Sequence, residues 1–322
     1  MAEKNYIYAV ARIRTKELSL LTASYLEQLL GAKSYKECLQ LLIDKGWGDG
    51  TDNSPEHILA VERQKTWDLI ADMVDDMSPF DVFLYANDYH NLKAAIKAVY
   101  TNDKRQDIYI KSGTIDPALI YKAVAEKNYD LLPEHMQAIA KEGLDTLLHT
   151  RDGQLLDVIV DKAALDAIYA AGSAAKNPII ALYGELTVAT ADLKVAVRAS
   201  KTGKDRKFLD RALAECKTLD LAKLKDAATE GFDAICDYIE NTKYSDGVEE
   251  LRKSMSAFER WGDNLLIRAI QPEIRHPFTI GPLAAYILAR ENEIKTVRIV
   301  LSGKINDLPD DSIRERVREM YV

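Results

Sequence analysis

The sequence predicts an all-α protein, and three observations carry that reading. Glycine and proline number only 15 and 9 in 322 residues, below the roughly 7% and 5% of an average chain, so few breakers interrupt the elements. Apolar residues recur at steps of three and four along most of the length, the spacing that gathers them on one helical face. Alternating apolar and polar runs of strand length are scarce: Asp107 to Lys111 is the one plausible stretch, and it is too short to define a sheet. Hydrophobic residues make up 47% of the chain, enough to close a sizeable core and to argue against disorder.

Taken in order, the elements follow from spacing and punctuation. Between Arg12 and Leu42, the residues Ile13, Leu18, Leu21, Leu26, Leu29 and Leu30 recur as they must to share one helical face. Gly46 to Pro55 is the one loop-rich stretch. Its oxygen-bearing side chains faintly resemble a calcium loop, but the glycine and the terminal glutamate of such a loop are missing, so it reads as a connection between helices. From Pro282 to Leu301, a stripe of Leu283, Tyr286, Ile287, Ile294, Val297 and Leu301 predicts a long helix closing on Gly303. Ser312, with Glu315 three residues on, has the pattern of a capping box for a last short helix.

A long internal repeat sets the organisation. Prolines open apolar segments at Pro79, Pro178 and Pro277, 99 residues apart each time. Downstream of each, a polar residue, a large aliphatic and a lysine recur as Asn91-Leu92-Lys93, Asp192-Leu193-Lys194 and Glu293-Ile294-Lys295. Upstream, Asp68, Asp166 and Asn264 occupy similar amphipathic surroundings, and Tyr35, Tyr129 and Phe232 mark aromatics at short breaks. Proline starts and acidic-Leu-Lys steps are ordinary helix grammar, yet four landmarks in one order point to repetition. Length alone suggests about two domains. The repeat sharpens this to three similar helical units, 1–105, 106–207 and 208–322, in a pseudo-threefold, funnel-like arrangement with a central depression.

Composition excludes several function classes. With 43 basic and 51 acidic residues the net charge is −8, which disfavours nucleic acid as the partner. Cys38, Cys216 and Cys236 are odd in number and form no CxxC pair, so neither a disulfide framework nor a zinc site is encoded and a reducing cytoplasm is expected. The first twenty residues lack the apolar run and cleavage site of a signal peptide. The apolar stretch from Ile280 to Ala289 stops at Arg290 after half the length a bilayer needs.

Chemistry-bearing motifs are missing as well. No Walker loop, dinucleotide fingerprint, HExxH or GxSxG occurs, and His57, His90, His135, His149 and His276 are too scattered for one helix face to gather. No catalytic, cofactor-binding or metal-binding residue is predicted, and no cofactor. The basic cluster Lys194, Arg198, Lys201, Lys204, Arg206 and Lys207 lacks interleaved aromatics and is diluted by Asp205, so it reads as a solvated helix end. Arg290 lies on the apolar stripe of the long C-terminal helix, where a charge must be paired or reach a cavity. Two readings stay open for it: a buried salt bridge with Glu293 or a neighbouring helix, or a partner-facing residue in the central depression. The corresponding repeat positions hold Asp88 and Ala189.

Two blocks carry a family resemblance. Tyr8-Ala9-Val10-Ala11-Arg12-Ile13-Arg14, and the run from Pro277-Phe278-Thr279-Ile280-Gly281-Pro282 to Ile294 continuing through Arg298, Leu308-Pro309 and Ile313-Arg314-Glu315-Arg316, resemble the C subunit of prokaryotic V-type (archaeal-type) ATPases. Its counterpart in the eukaryotic vacuolar enzyme is the d subunit. The resemblance implies a non-catalytic helical funnel on the cytoplasmic face of the membrane, without a span of its own. Its implied partners are the central-stalk subunits and the proteolipid ring of the membrane sector, between which torque passes. Arg12, Arg14 and Arg290 are then the partner-interface candidates. An all-α scaffold or adaptor in an unrelated assembly is the alternative.

Overall fold

The computed structural model describes residues 6–103, 105, 107–276 and 278–322. The third proline landmark, Pro277, lies outside the described residues, as do residues 1–5, Lys104 and Gln106. Among the described residues every regular element is a helix and none is a strand, Asp107 to Lys111 included. In chain order the α-helices are α1 (Ile7–Glu17), α2 (Ala23–Leu30), α3 (Tyr35–Asp44), α4 (Pro55–Ala71), α5 (Tyr85–Thr101), α6 (Pro117–Ala125), α7 (Glu134–Thr150) and α8 (Gly153–Ala174). They continue as α9 (Pro178–Lys201), α10 (Arg206–Ala212), α11 (Leu221–Glu230), α12 (Phe232–Glu240), α13 (Val248–Lys253), α14 (Met255–Ile270), α15 (Gly281–Ile305) and α16 (Asp310–Arg314).

These residues form two compact units. Unit 1 joins both ends of the chain, Met1–Met77 and Gly247–Val322, with Asn177–Ile179. Unit 2 holds Ser78–Lys176 and Ile180–Asp246.

In unit 1 the 25-residue α15 is the central element, with α1, α3, α4, α14 and α16 packed around it. Its run from Leu283 to Ala289 is buried on every side, which an apolar all-round sequence requires. Ile294, Val297, Val300 and Leu301 continue the core against Leu29, Leu30, Leu42, Trp47 and Ile58. Unit 2 is built in the same manner around α5. There Tyr89, Leu92, Ala95 and Ile96 meet Ile120 and Val124 of α6, Met136 and Leu144 of α7, and Leu156 and Val160 of α8. Within the same unit α8 and α9 cross at Gly172 and Gly184, where an added Cβ would stand about 3.1 Å from facing backbone. Only glycine lets two helix backbones approach that closely.

Helix starts follow side-chain chemistry. Thr22, Ser34 and Ser54 accept the amides of Tyr25, Glu37 and His57 to cap α2, α3 and α4, and Asp116, Asp152, Asp205 and Asp220 do the same for α6, α8, α10 and α11. Three local expectations are corrected. The apolar spacing from Arg12 to Leu42 spans three short helices, not one: α1 ends at Glu17, Thr22 restarts the chain, and Leu18 is 85% exposed at the break. Gly303 does not end α15, which runs on to Ile305. An added Cβ there would collide with Ile313 of the last short helix, so the glycine serves close packing. Ser312 lies inside α16, which Pro309 precedes without a side-chain cap.

Candidate functional site

One set of repeat landmarks turns out to be buried anchors. On the long helices α5, α9 and α15, Asn91, Asp192 and Glu293 are all buried, and each receives a backbone amide from the irregular segment that leads into a short helix. Asn91 accepts from Ile110 N–H at 2.8 Å and donates through Nδ2 to Ile110 O at 2.8 Å, just ahead of α6. Asp192 Oδ1 accepts from Ala214 N–H at 3.1 Å, ahead of α11. Glu293 Oε1 accepts from Leu21 N–H, ahead of α2. The aromatic landmarks Tyr35, Tyr129 and Phe232 each take the first position of a helical turn. Asp68 and Asp166 accept from Gln64 and Lys162 one turn earlier, whereas Asn264 exchanges hydrogen bonds with Glu319.

Two further carboxylates hold the same incoming segments in unit 2. Asp88 accepts from Thr114 N–H at 3.0 Å, Thr114 Oγ1–H at 2.7 Å and Ile115 N–H at 3.3 Å. Burial pushes its pKa up, and these donors only partly offset that. Glu185 accepts from Thr218 N–H at 2.9 Å, Thr218 Oγ1–H at 2.6 Å and Lys217 N–H at 3.3 Å. Burial works against its charge too, but the Thr218 and Lys217 donors win and its pKa lies below the usual carboxylate range.

Arg290 sits inside a buried ion network. At 7% exposure, it donates through Nη2 to Glu62 Oε2 of α4 at 2.5 Å, through Nη1 to Glu293, and through Nε to Thr66 Oγ1 at 3.3 Å. Its guanidinium carbon stands 5.2 Å from the centre of the Trp47 ring. Burial opposes its charge, but the Glu293 and Glu62 carboxylates outweigh that and hold its pKa above the usual value. Glu62 also accepts from Gly48 N–H at 3.0 Å and from Lys65 Nζ at 2.7 Å, and Lys65 reaches Gly46 O and Gly48 O. The Gly46 to Pro55 loop is thus tied to α4 as a structural connection. Among the described residues no cluster of His, Cys, Asp and Glu could hold a metal ion.

The other two arginine candidates lie on α1 and reach the surface of unit 1. Arg14 donates to both Glu17 oxygens, at 2.7 and 2.8 Å, and to Glu273 O at 2.8 Å. Arg12 lies 3.5 Å from Asp72 and over the exposed Tyr8 ring. The three candidates therefore fall in different settings: Arg290 enclosed, Arg12 and Arg14 half-exposed. In the sequence Asn91 and Asp192 stand out only as repeat markers, and Glu293 as a repeat marker and a salt-bridge partner for Arg290. A polar residue beside a large aliphatic on an apolar stripe was the signal that they are buried.

No described helix is long and apolar enough to cross a membrane. Residues 9–316 match the family described as ATP synthase (C/AC39) subunit. The chain is 25% identical to the C subunit of the A-type ATP synthase of Methanocaldococcus jannaschii, over 96% of this chain and 85% of that protein. It is 23% identical to the C subunit of the V-type sodium ATPase of Enterococcus hirae, over 96% and 97% of the two chains. It is 24% identical to the C subunit of the V-type ATP synthase of Thermus thermophilus, over 97% and 98%.

Proposed function

Because the chain belongs to the ATP synthase (C/AC39) subunit family, as a structural and not a catalytic component, we propose that it couples the central stalk of a rotary ATPase to the membrane proteolipid ring. In this role ATP hydrolysis or synthesis is linked to proton or sodium transport, and the chain sits on the cytoplasmic face of the membrane as a peripheral part of the complex. The observation that carries the reading is the family match over residues 9–316. A torque coupler must be stiff, since compliance would store the work of each rotary step. Long, densely packed helices such as α8, α9 and α15, with backbone-level packing at Gly172 and Gly184, suit that need.

The same proposal keeps the three-unit reading of the repeat. Its support is that Asn91, Asp192 and Glu293 each anchor the segment entering a short helix. The units remain 1–105, 106–207 and 208–322, and each holds one of these buried anchors. Of the arginine candidates, Arg12 and Arg14 carry the partner-contact part of the proposal. Arg290 fits the alternative weighed from the sequence, a buried salt bridge holding α4 to α15.

Binding to purified partners tests this function. The immobilised full chain should retain both central-stalk subunits and detergent-solubilised proteolipid ring. Retention of neither would overturn the proposal.

A further inference from the structure

We propose that Asp192 is a neutral, protonated acid in the folded protein and that it forms a pH-sensitive latch holding the segment between α10 and α11 onto α9. The first observation is geometric. Asp192 is 0% exposed, its Oδ1 takes a single amide, from Ala214, and its Oδ2 is buried with no hydrogen-bond partner among the described residues. A carboxylate so placed would carry a full charge against one donor, whereas a neutral acid leaves only a hydroxyl unsatisfied.

The second observation is the repeat position itself. Asn91, at the matching place on α5, is a neutral side chain of the same shape doing the same task for Ile110. Glu293, at the matching place on α15, is also pushed up by burial, but there Arg290 is bonded to it and opposes the shift. Among the described residues no such cation is bonded to Asp192. The charged groups around it are Asp166 and Lys162 of α8, Lys225 of α11 and the Tyr238 phenol of α12. Lys162 is bonded to Asp166 at 2.7 Å and Lys225 to Asp210 at 2.8 Å, and Tyr238 O–H is engaged with Asp220. Burial, with Asp166 adding to it, lifts the Asp192 pKa to about 8.

The segment is therefore held by two anchors of opposite type. Glu185, charged, grips Lys217 and Thr218; Asp192, neutral, grips Ala214. Above pH 8 Asp192 loses its proton to water; the Ala214 N–H favours the resulting ion, but a fully buried charge with one donor is relieved by water entering, and this opens the Ala214 end while the Thr218 end stays bound. The sign of the stability effect follows. The folded state holds this proton up to about pH 8 and the unfolded chain releases it near 3.8, so stability falls as pH rises through that window, by up to about tenfold in the folding constant per pH unit, and levels off above it.

The test uses the full chain. Carbon-13 NMR of aspartate carboxyl groups should show one resonance, missing in Asp192→Asn, that titrates near pH 8. Amide exchange, corrected for intrinsic rates, should rise at Ala214 and not at Thr218 between pH 7 and 9 (chosen to bracket about 8). Asp192→Asn should abolish that rise and should be more stable than the parent at pH 8, with the difference shrinking towards pH 5 (inside the window between 3.8 and about 8). An Asp192 carboxyl already ionised at pH 6, or an asparagine variant less stable than the parent at pH 8, would overturn the proposal.

Discussion

On α9 and on α15 the chain buries a carboxyl group at matching repeat positions and meets the cost in different ways. Glu293 lies among Arg290, Glu62, Thr66 and the Leu21 amide, a network in which charge is balanced by charge. Asp192 has one amide and an orphaned oxygen. Asn91, in the third such place, avoids the problem by being an amide. The common requirement is a polar acceptor for the segment entering a short helix. Charge itself is incidental, because all three side chains satisfy one backbone N–H. A buried ion network brings a further liability, since removing one member strands the others.

The strongest way to break the comparison is to remove the cation. Arg290→Met leaves Glu293 buried without a counter-charge and Glu62 with Lys65 alone, and should cost about 3–5 kcal/mol. Trp47, Trp67 and Trp261 all belong to unit 1, so tryptophan fluorescence in a denaturant titration reads that unit selectively. Pairing Arg290→Met with Glu62→Leu and Glu293→Leu should recover part of the loss. If the triple variant were no better than the single one, charge balance would not be what the network supplies.

A smaller effect is expected at the α8 and α9 crossing of unit 2. Gly172→Ala forces two helix backbones apart and should cost about 1–3 kcal/mol, seen as faster amide exchange along α8 and α9 and not along α15. Asn91→Asp then transplants the α9 solution onto α5. It should cost about 1–3 kcal/mol at pH 7, and since burial raises the new carboxyl's folded pKa, the loss should shrink as pH falls and the acid is neutralised. A pH-independent loss would mean that shape, not charge, governs the site. Smallest of all, Arg12→Glu on the surface of α1 should change stability by no more than about 0.5 kcal/mol. A selective loss of stalk or ring binding in that variant would mark a contact residue, and unfolding would mark a structural one.

Much of the fold was legible because helix class depends on local facts: scarce breakers, three-and-four spacing, and caps such as Ser54 before Pro55. The misreadings share one cause. Apolar spacing from Ile13 to Leu30 continues smoothly across a break that only the Thr22 cap and the exposure of Leu18 reveal. Gly303 and Ser312 have local signatures of helix ends, but each is decided by tertiary placement: one packs against Ile313, and the other falls within α16 behind Pro309. At the candidate site, Glu293 was visible as a partner for Arg290 because it is one turn away. Glu62 was not, since it arrives from α4, 228 residues distant in sequence. The anchoring roles of Asn91 and Asp192 were hidden for the same reason, because their partners lie in irregular segments that carry no pattern.

The central claim, mechanical coupling between stalk and ring, is tested most directly by ion pumping in membrane vesicles whose rotary ATPase has been depleted of this chain. Depleted vesicles should hydrolyse ATP without building an ion gradient, and adding back the purified chain should restore the gradient. A gradient formed equally well in its absence would contradict the account.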